Sequence, residues 1–357
     1  YVDAGHLTVS RVKEIVKNTA FDIIYVNGIY SFYFSILPLV FAKAYKKKVI
    51  VSARGMLSPH AIEVKSKKKK AFLYLAKYLG LYKGVTFHAT NEEEAQYIRN
   101  IFGKKSNVRV APNLPKPLAN NEHKIEKREN ALKLIYIGRI SPEKNTLFSV
   151  ETLKMINGTL ANIELSIYGS VYNDEYWAEC VAQINKLPLN IKVTHKGTIE
   201  PEKISEALHQ HHFLFQPSRG ENYGHAIAEA FQCGCPVIIS DRTPWRNLQE
   251  KSQESRAKNQ EPRIKNQESR IKNQDNNQDV VINHSSSVGW DLSLEQPEEF
   301  VRVIEYCAAM GQEEYDKMSQ RAFDYAQKIV NDPAVLDANR KLFWLEESPS
   351  YLPQGEA

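Results

Sequence analysis

Short apolar segments alternate with helical segments along most of the chain. The apolar runs are rich in Ile, Val, Leu and aromatic residues, and they lie at 22–26, 48–52, 85–89, 108–111, 133–137, 163–168, 191–194, 213–216 and 236–240. Helical patterns such as 34–46, 67–81 and 92–102 separate them. Continuous apolar strands joined by helices are typical of parallel sheets that are covered on both faces. The sequence therefore predicts an α/β fold.

A segment rich in Pro, Asn, Lys and Glu at 112–129 interrupts this alternation. It indicates two Rossmann-like domains, as a length of 357 residues also suggests. The predicted boundaries are 1–115 for the N-terminal domain, 116–130 for the linker, 131–330 for the C-terminal domain, and 331–357 for a C-terminal helix and tail that pack back on the N-terminal domain. The chain starts at Tyr1 inside the first domain, so we expect that domain's first strand to precede it.

A low-complexity insertion is predicted at 251–279. It contains four imperfect seven-residue units, and each unit has at most one apolar residue. A coiled coil needs two apolar positions per heptad, so the repeat favours a largely disordered segment. A strand is expected directly after it, at 279–283.

Charge and cysteine content narrow the class of protein. The net charge of +5 is too small to indicate nucleic-acid binding. Four cysteines without metal-ligand spacing favour free thiols in a reducing, cytoplasmic compartment. No segment reaches the roughly 20 apolar residues of a membrane span.

Lysines are concentrated in one stretch, Lys65 to Lys83, which reads as a basic amphipathic helix. Two interpretations remain open. The segment is either a solvated helix face or a peripheral contact with the inner face of a membrane, where anionic lipids attract lysine.

The segment 217–240 carries most of the candidate chemistry. Glu221 lies in a loop after a strand, and Glu229 follows eight residues later in an otherwise apolar helix. A carboxylate in such a helix is costly unless it is hydrogen-bonded, either by an internal partner or by ligand hydroxyls. The helix start presents free N–H groups suited to phosphate, and Gly224 lets the backbone approach a ligand.

A second candidate element is GRISPEKN, 138–145, at the carboxyl end of the strand 133–137. Ligands of open α/β sheets bind at this end of the strands. Arg139 and Lys144 bring two cations there, either to neutralise a diphosphate or as ordinary surface charges. Ser141 is predicted to be the N-cap of the following helix.

These motifs together resemble retaining glycosyltransferases of family 4, which have the GT-B fold. The resemblance rests on Glu221-x7-Glu229 with Gly224, on the turn at 234–237, on GRISPEKN, and on SARGMLSPHAIEVKSKKKK at 52–70, which is similar to an element of a bacterial polysaccharide-assembly branch (lipopolysaccharide or capsule). The resemblance implies two Rossmann-like domains whose parallel sheets face a cleft. It also implies transfer of a hexose-type sugar from a nucleotide-diphosphate donor to a polysaccharide or lipid-linked acceptor, with retention of configuration.

The resemblance also implies roles for individual residues. Arg139 and Lys144 would bind the donor diphosphate, Glu221 would contact the donor sugar, and Glu229 would hold the ribose. No metal and no cofactor is implied, because the two cations can replace a metal. The donor site so implied further includes Gly138, Ser218, Asn222, Gly224, His225 and Ala226.

Candidates on the acceptor side are Asn27, Arg54, Gly55 and His88, which follow or end strands of the first domain. Many members of the family that this chain resembles carry a histidine near the position of Asn27. His88 is alternatively a hydrogen-bonded core histidine.

Three other functions are compatible with parts of this pattern to different degrees. A degenerate or truncated GT-B protein would bind a nucleotide or partner without turnover. Another GT-B enzyme, such as an epimerase or a phosphorylase, is a second alternative, although no pyridoxal-lysine context supports the phosphorylase. A Rossmann dehydrogenase is disfavoured because G-x-G-x-x-G is absent.

Overall fold

The structure, a computed structural model, describes residues 7–63, 66–115, 118, 125–156, 160–249 and 287–343. The chain divides into two compact units. Unit 1 consists of Tyr1–Leu114 and Asp332–Ala357, and unit 2 of Pro115–Asn331. Each has an α/β architecture with one parallel sheet, as the alternating pattern predicts.

Unit 1 is built around a four-stranded parallel sheet with the order β1-β2-β3-β4. Its strands are β1 (Ile23–Asn27), β2 (Lys48–Ser52), β3 (Thr86–Ala89) and β4 (Asn107–Val110). Its helices are α1 (Val9–Asn18), α2 (Leu37–Ala44), α3 (Pro59–Glu63), α4 (Ser66–Tyr78), α5 (Glu92–Phe102) and the C-terminal α12 (Pro333–Phe343). A single π-helical turn, Phe32–Ile36, leads into α2, where the sequence predicts a plain helix.

Unit 2 contains a six-stranded parallel sheet with the order β10-β9-β8-β5-β6-β7. Its strands are β5 (Ala131–Ile137), β6 (Asn162–Tyr168), β7 (Ile191–His195), β8 (Phe213–Gln216), β9 (Val237–Ser240) and β10 (Gly289–Leu292). Its helices are α6 (Thr146–Met155), α7 (Asp174–Ile184), α8 (Ile204–His209), α9 (His225–Gln232), α10 (Pro297–Ala309) and α11 (Gln312–Val330).

Successive residues of β5 show why these strands are apolar throughout. Leu134 and Tyr136 pack into one core cluster of unit 2, whereas Ile135 and Ile137 pack into a second. Neighbouring side chains of a strand point to opposite faces. Both faces of this sheet are therefore buried beneath helices, and an alternating polar pattern would leave polar groups without water.

The structure differs from the sequence predictions at two points. Ser141 is not the N-cap of the helix after β5, because α6 begins at Thr146 after Asn145, whose φ is 60°. The strand Gly289–Leu292 was missed, since Gly and Asp disfavour strands. The predicted insertion 251–279 and the strand 279–283 lie outside the described residues.

Candidate functional site

The strand order of unit 2 reverses between β5 and β8. These strands pair in parallel, but the chain proceeds from β5 toward β6 and β7 on one side, and from β8 toward β9 and β10 on the other. Such a switch point leaves a crevice at the carboxyl ends of the two strands, where open α/β sheets bind ligands. The loops that follow β5 and β8 are the segments 138–145 and 217–224, which carry the two predicted motifs.

Glu221 is the centre of the polar contacts at this edge. Its Oε1 accepts from Lys144 Nζ at 2.5 Å, Ser218 Oγ at 2.9 Å and Gln216 Nε2 at 3.1 Å. The side chains of Glu221 and Lys144 are 8% and 22% exposed, so their ion pair is largely shielded from water. No described residue donates to Oε2, which leaves that oxygen able to accept from a ligand hydroxyl.

A buried asparagine fixes the two loops against each other. Asn145 Nδ2 donates to the carbonyl of Pro217 at 3.0 Å, and its Oδ1 accepts from Arg219 Nε at 3.2 Å. Arg219 N also donates to the carbonyl of Glu143 at 2.9 Å. The turn between β5 and α6 thus holds Lys144 beside Glu221. This turn is the structure that replaces the predicted helix start at Ser141, whose carbonyl accepts from Asn145 N.

Arg139 lies at the same strand end but makes different contacts. Its guanidinium stacks over the ring of Tyr172 with 5.2 Å to the centroid, and the residue is exposed. The preceding Gly138 lies against Gly169, at the end of β6. A Cβ on Gly169 would fall 1.9 Å from the carbonyl oxygen of Gly138. Gly169 is therefore a site residue that the sequence analysis missed.

The conformation at the start of α9 shows why position 224 requires a glycine. Its φ is +80°, and a Cβ there would lie 2.8 Å from Ile227 Cδ1 and 3.3 Å from Trp245 Nε1. The glycine is thus required by backbone conformation and packing as well as by any ligand. The next residue, His225, is exposed, and Ala226 is buried.

Helix α9 is buried on most of its surface, as predicted. Ala226, Ile227, Ala228, Ala230, Phe231 and Gln232 are all buried. Glu229 is half-buried and His225 is exposed. Residues four apart share a helix face, so these two side chains form the open stripe of an otherwise buried helix. Glu229 is therefore less buried than the apolar residues around it in α9.

Tyr223 and Asn222 stand between Glu221 and Gly224. The Tyr223 carbonyl accepts from Trp245 Nε1 at 2.5 Å, and the two rings lie 5.6 Å apart. Burial raises the pKa of Tyr223 to about 12. The aromatic ring thus anchors the loop to the core, whereas Asn222 remains half-buried.

In unit 1 the four acceptor-side candidates lie near the carboxyl end of the sheet, with different surroundings. His88 is buried: its Nε2 donates to the Ala111 carbonyl at 2.8 Å, so Nδ1 accepts from the Tyr25 hydroxyl at 2.6 Å. Desolvation lowers its pKa. Both ring nitrogens are engaged, which matches the alternative of a core histidine.

The other three candidates are joined by a short network. Arg54 Nε donates to Asn27 Oδ1 at 3.0 Å, and Arg54 Nη1 donates to Asn113 Oδ1 at 2.7 Å. Gly55 N donates to Glu94 Oε1 at 2.6 Å. Asn113 and Glu94 were not singled out in the sequence, because their contacts with this edge come from β4 and α5, which lie far along the chain.

The described part of the chain contains no group of three or more His, Cys, Asp or Glu residues placed to hold a metal ion. None of its helices is long and apolar enough to cross a membrane. Cys180, Cys233, Cys235 and Cys307 are buried free thiols.

Residues 119–259, less than half of the chain, match the family model described as glycosyl transferases group 1. No curated protein sequence matches. Solved structures similar to this chain are glycosyltransferases. The fold is that of the GT-B glycosyltransferases.

Three similar structures illustrate this. HepE of Anabaena, solved with UDP and glucose, has a TM-score of 0.63 and 15% identity over 94% of this chain and 79% of that chain. A glycosyltransferase of Rickettsia africae has a TM-score of 0.64 and 13% identity, with the same two coverages. Sucrose-phosphate synthase of Thermosynechococcus elongatus has a TM-score of 0.62 and 14% identity over 96% of this chain and 79% of that chain. At these identities the likeness shows the fold.

Proposed function

We propose that this chain is a glycosyltransferase that moves a sugar from a nucleotide-diphosphate donor to a polysaccharide or lipid-linked acceptor, with retention of configuration. The observation that carries the proposal is the Lys144–Glu221 pair at the switch point of the unit 2 sheet. A glycosyl transferases group 1 match over 119–259, which spans this pair, supports it. The UDP and glucose in the structure of HepE support a nucleotide sugar as donor.

The charged residues of this site have different roles in the proposed reaction. Arg139 supplies positive charge for the departing diphosphate, and Lys144, held by Glu221, donates a further hydrogen bond to it. Glu221 Oε2 accepts from a hydroxyl of the donor sugar, while its Oε1 stays fixed by Lys144, Ser218 and Gln216. Glu229, on the open stripe of α9, binds the ribose. Two side-chain cations take the place of a metal, so no cofactor is required.

Titration calorimetry of the whole chain with UDP, GDP and their sugars tests the donor site. We expect one base to be preferred, and Lys144→Ala and Glu229→Ala each to weaken binding about tenfold or more, because each removes a charged hydrogen-bonding group. The control is Lys317→Ala, which removes an exposed lysine from α11. Equal binding by the Lys144→Ala variant and the control would contradict the assignment.

Turnover separates this proposal from its main alternative. A degenerate GT-B protein would bind the nucleotide in the same calorimetric test but release no free nucleotide diphosphate when acceptor glycans are added. Retention is tested by NMR of the product's anomeric proton, which should keep the donor's configuration. An inverted product would exclude the retaining mechanism.

We also propose that α4 contacts an anionic membrane surface. Lys67, Lys68 and Lys70 are exposed at its start. Tyr74, Leu75 and Tyr78 in its later turns, and Leu79 directly after it, form an apolar face with exposed fractions between 53% and 79%. Lysines beside exposed tyrosine and leucine suit the interface of an anionic bilayer. Lys65 lies outside the described residues.

Co-sedimentation with vesicles tests this contact. The chain should bind vesicles containing phosphatidylglycerol and lose most of that binding in Lys67–Lys70→Ala and in Tyr74→Ser/Tyr78→Ser. The first variant removes charge and the second removes apolar contact. Vesicles of phosphatidylcholine alone should bind weakly. Undiminished binding by both variants would contradict the proposed surface.

A further inference from the structure

Unit 1 contains a charged site of its own, separate from the Lys144–Glu221 site of unit 2. It consists of Arg54 between Asn27 and Asn113, and we term it the Arg54 cluster. Asn27 ends β1, Arg54 follows β2, and Asn113 follows β4. The three residues therefore gather at the carboxyl edge of the unit 1 sheet, where α/β sheets bind ligands. The Arg54 guanidinium lies 3.0 Å from Asn27 Oδ1 and 2.7 Å from Asn113 Oδ1.

The charge of Arg54 is oriented but not neutralised by these contacts. Both acceptors are neutral amides, and no described carboxylate forms an ion pair with Arg54. Glu94 lies on the same edge, but its oxygens accept from Gly55 N, Thr90 N and Thr90 Oγ1. A half-buried cation held by neutral groups keeps its attraction for an anion.

The backbone conformation at Arg54 is a second and independent observation. Its φ is +51°, in the left-handed region, and Gly55 follows with a φ of +73°. A non-glycine residue in this region is uncommon, and strained backbone of this kind concentrates at functional sites. A tie between two asparagines needs neither a charge nor this conformation.

The N–H groups of Arg54 that Asn27 and Asn113 do not use indicate which kind of ligand could bind. A guanidinium has five N–H groups in a planar fork, and two are used by Asn27 and Asn113. The free N–H groups suit a carboxylate or phosphate, which accept two parallel hydrogen bonds. We propose that the Arg54 cluster binds an oxyanion of the acceptor, either the carboxylate of an acidic sugar or the phosphate of a lipid-linked acceptor. This rests on the proposed function, because only a transferase has an acceptor.

The test uses two small probes that separate the two sources: methyl glucuronide for the carboxylate and inorganic pyrophosphate for the phosphate. Both are titrated into the whole chain carrying Arg139→Ala and Lys144→Ala, so that the donor-site cations do not bind them. In this background we expect one probe to bind, and Arg54→Gln to weaken it about tenfold or more.

A second variant keeps Arg54 but neutralises its charge. Asn113→Asp has nearly the same shape, but it places a carboxylate against Arg54 and should weaken the same probe to a similar degree. Lys105→Gln, which removes an exposed cation elsewhere in unit 1, is the matched control and should bind as the background does. Circular dichroism establishes that each variant is folded.

The outcomes are separable from those of the donor titration. Binding of one probe that falls in Arg54→Gln and Asn113→Asp but not in Lys105→Gln supports the proposal and names the acceptor's anion. Binding of neither probe, or equal binding by all variants, overturns it. Nucleotide binding in the otherwise unaltered chain should be the same with and without Arg54→Gln. Its absence in both would instead contradict the proposed function.

Discussion

At the residue scale, His212 lies next to His211 in the sequence, and both of its ring nitrogens are hydrogen-bonded to the backbone. Its Nδ1 accepts from Lys133 N at 2.9 Å, and its Nε2 donates to the Glu126 carbonyl at 3.1 Å. The ring is therefore neutral and buried. Burial, opposed by the bond to Glu126, lowers its pKa from 6.5 to about 4.

This shift predicts how stability depends on pH. Because the folded-state pKa of His212 lies below the unfolded value, the unfolded chain takes up the proton first. His212 should thus cost no stability above about pH 6.5, and up to about 3 kcal/mol by pH 4. His212→Gln keeps a donor and an acceptor without the titration, so its melting temperature should fall less steeply between pH 7 and pH 4. Parallel curves for the two proteins would contradict this assignment.

The sequence locates candidate residues best where a local motif follows a strand. Lys144, Glu221 and Ser218 lie in contact because each motif follows a strand of the same sheet, and their roles in binding stay predictions. Asn145 was left without a role, and Gly169 was missed, because their functions depend on a neighbouring loop or strand. His88 could not be classified from the sequence, since its partners Tyr25 and Ala111 lie 63 and 23 residues away.

At the element scale, the junction between β8 and α9 is a turn whose geometry depends on one glycine. Gly224 has a φ of +80°, and its missing Cβ makes room for Ile227 and Trp245. Gly220 lies in the same loop, and a Cβ there would meet nothing within 4 Å. The two glycines therefore form a matched pair in which only one is structurally required.

Alanine substitution should separate these two glycines. Gly224→Ala must strain the backbone and push Ile227 aside, so we expect unit 2 to lose about 1–3 kcal/mol of stability and its nucleotide affinity to fall. Gly220→Ala should leave the stability nearly unchanged. Urea unfolding followed by tryptophan fluorescence measures both. A Gly224→Ala protein as stable as the Gly220→Ala protein would refute the argument.

Elements were predicted better than their ends. Strands β2 and β8 and helix α5 have the predicted bounds, because each is a continuous pattern with clear breaks at both ends. The N-cap of α6 was predicted four residues early, at Ser141 instead of Asn145, since serine before proline usually begins a helix. The tertiary contacts of Asn145 favour a turn there instead.

At the scale of the whole molecule, the chain returns to unit 1 after completing unit 2. Helix α12 packs on unit 1, where Leu342 forms a buried cluster with Ile50 and Ala111. Asn339 Nδ2 also donates to the Pro112 carbonyl at 2.8 Å. The unit is thus closed by residues more than 200 positions distant in sequence from its sheet.

Removing the Leu342 side chain should destabilise unit 1 rather than unit 2. Leu342 is 2% exposed, so Leu342→Ala should cost about 2–5 kcal/mol. Leu336, on the same helix, is 39% exposed, and Leu336→Ala should cost under about 1 kcal/mol. Hydrogen exchange of strands β2 and β4 should accelerate only in the Leu342→Ala protein. Equal exchange in both would show that α12 does not support the sheet.

Most element types, the parallel sheets and the positions of the two motifs after their strands can be read from the sequence alone. These features follow from local periodicity and from loop residues such as glycine and proline, which act over a few positions. Which strands are neighbours is seen only in the folded protein. The pairing of β5 with β8 brings Lys144 to Glu221 across 77 residues, and the order of unit 1 brings Asn113 to Arg54. Strand order depends on the packing of whole helices against sheets, and no local pattern encodes it.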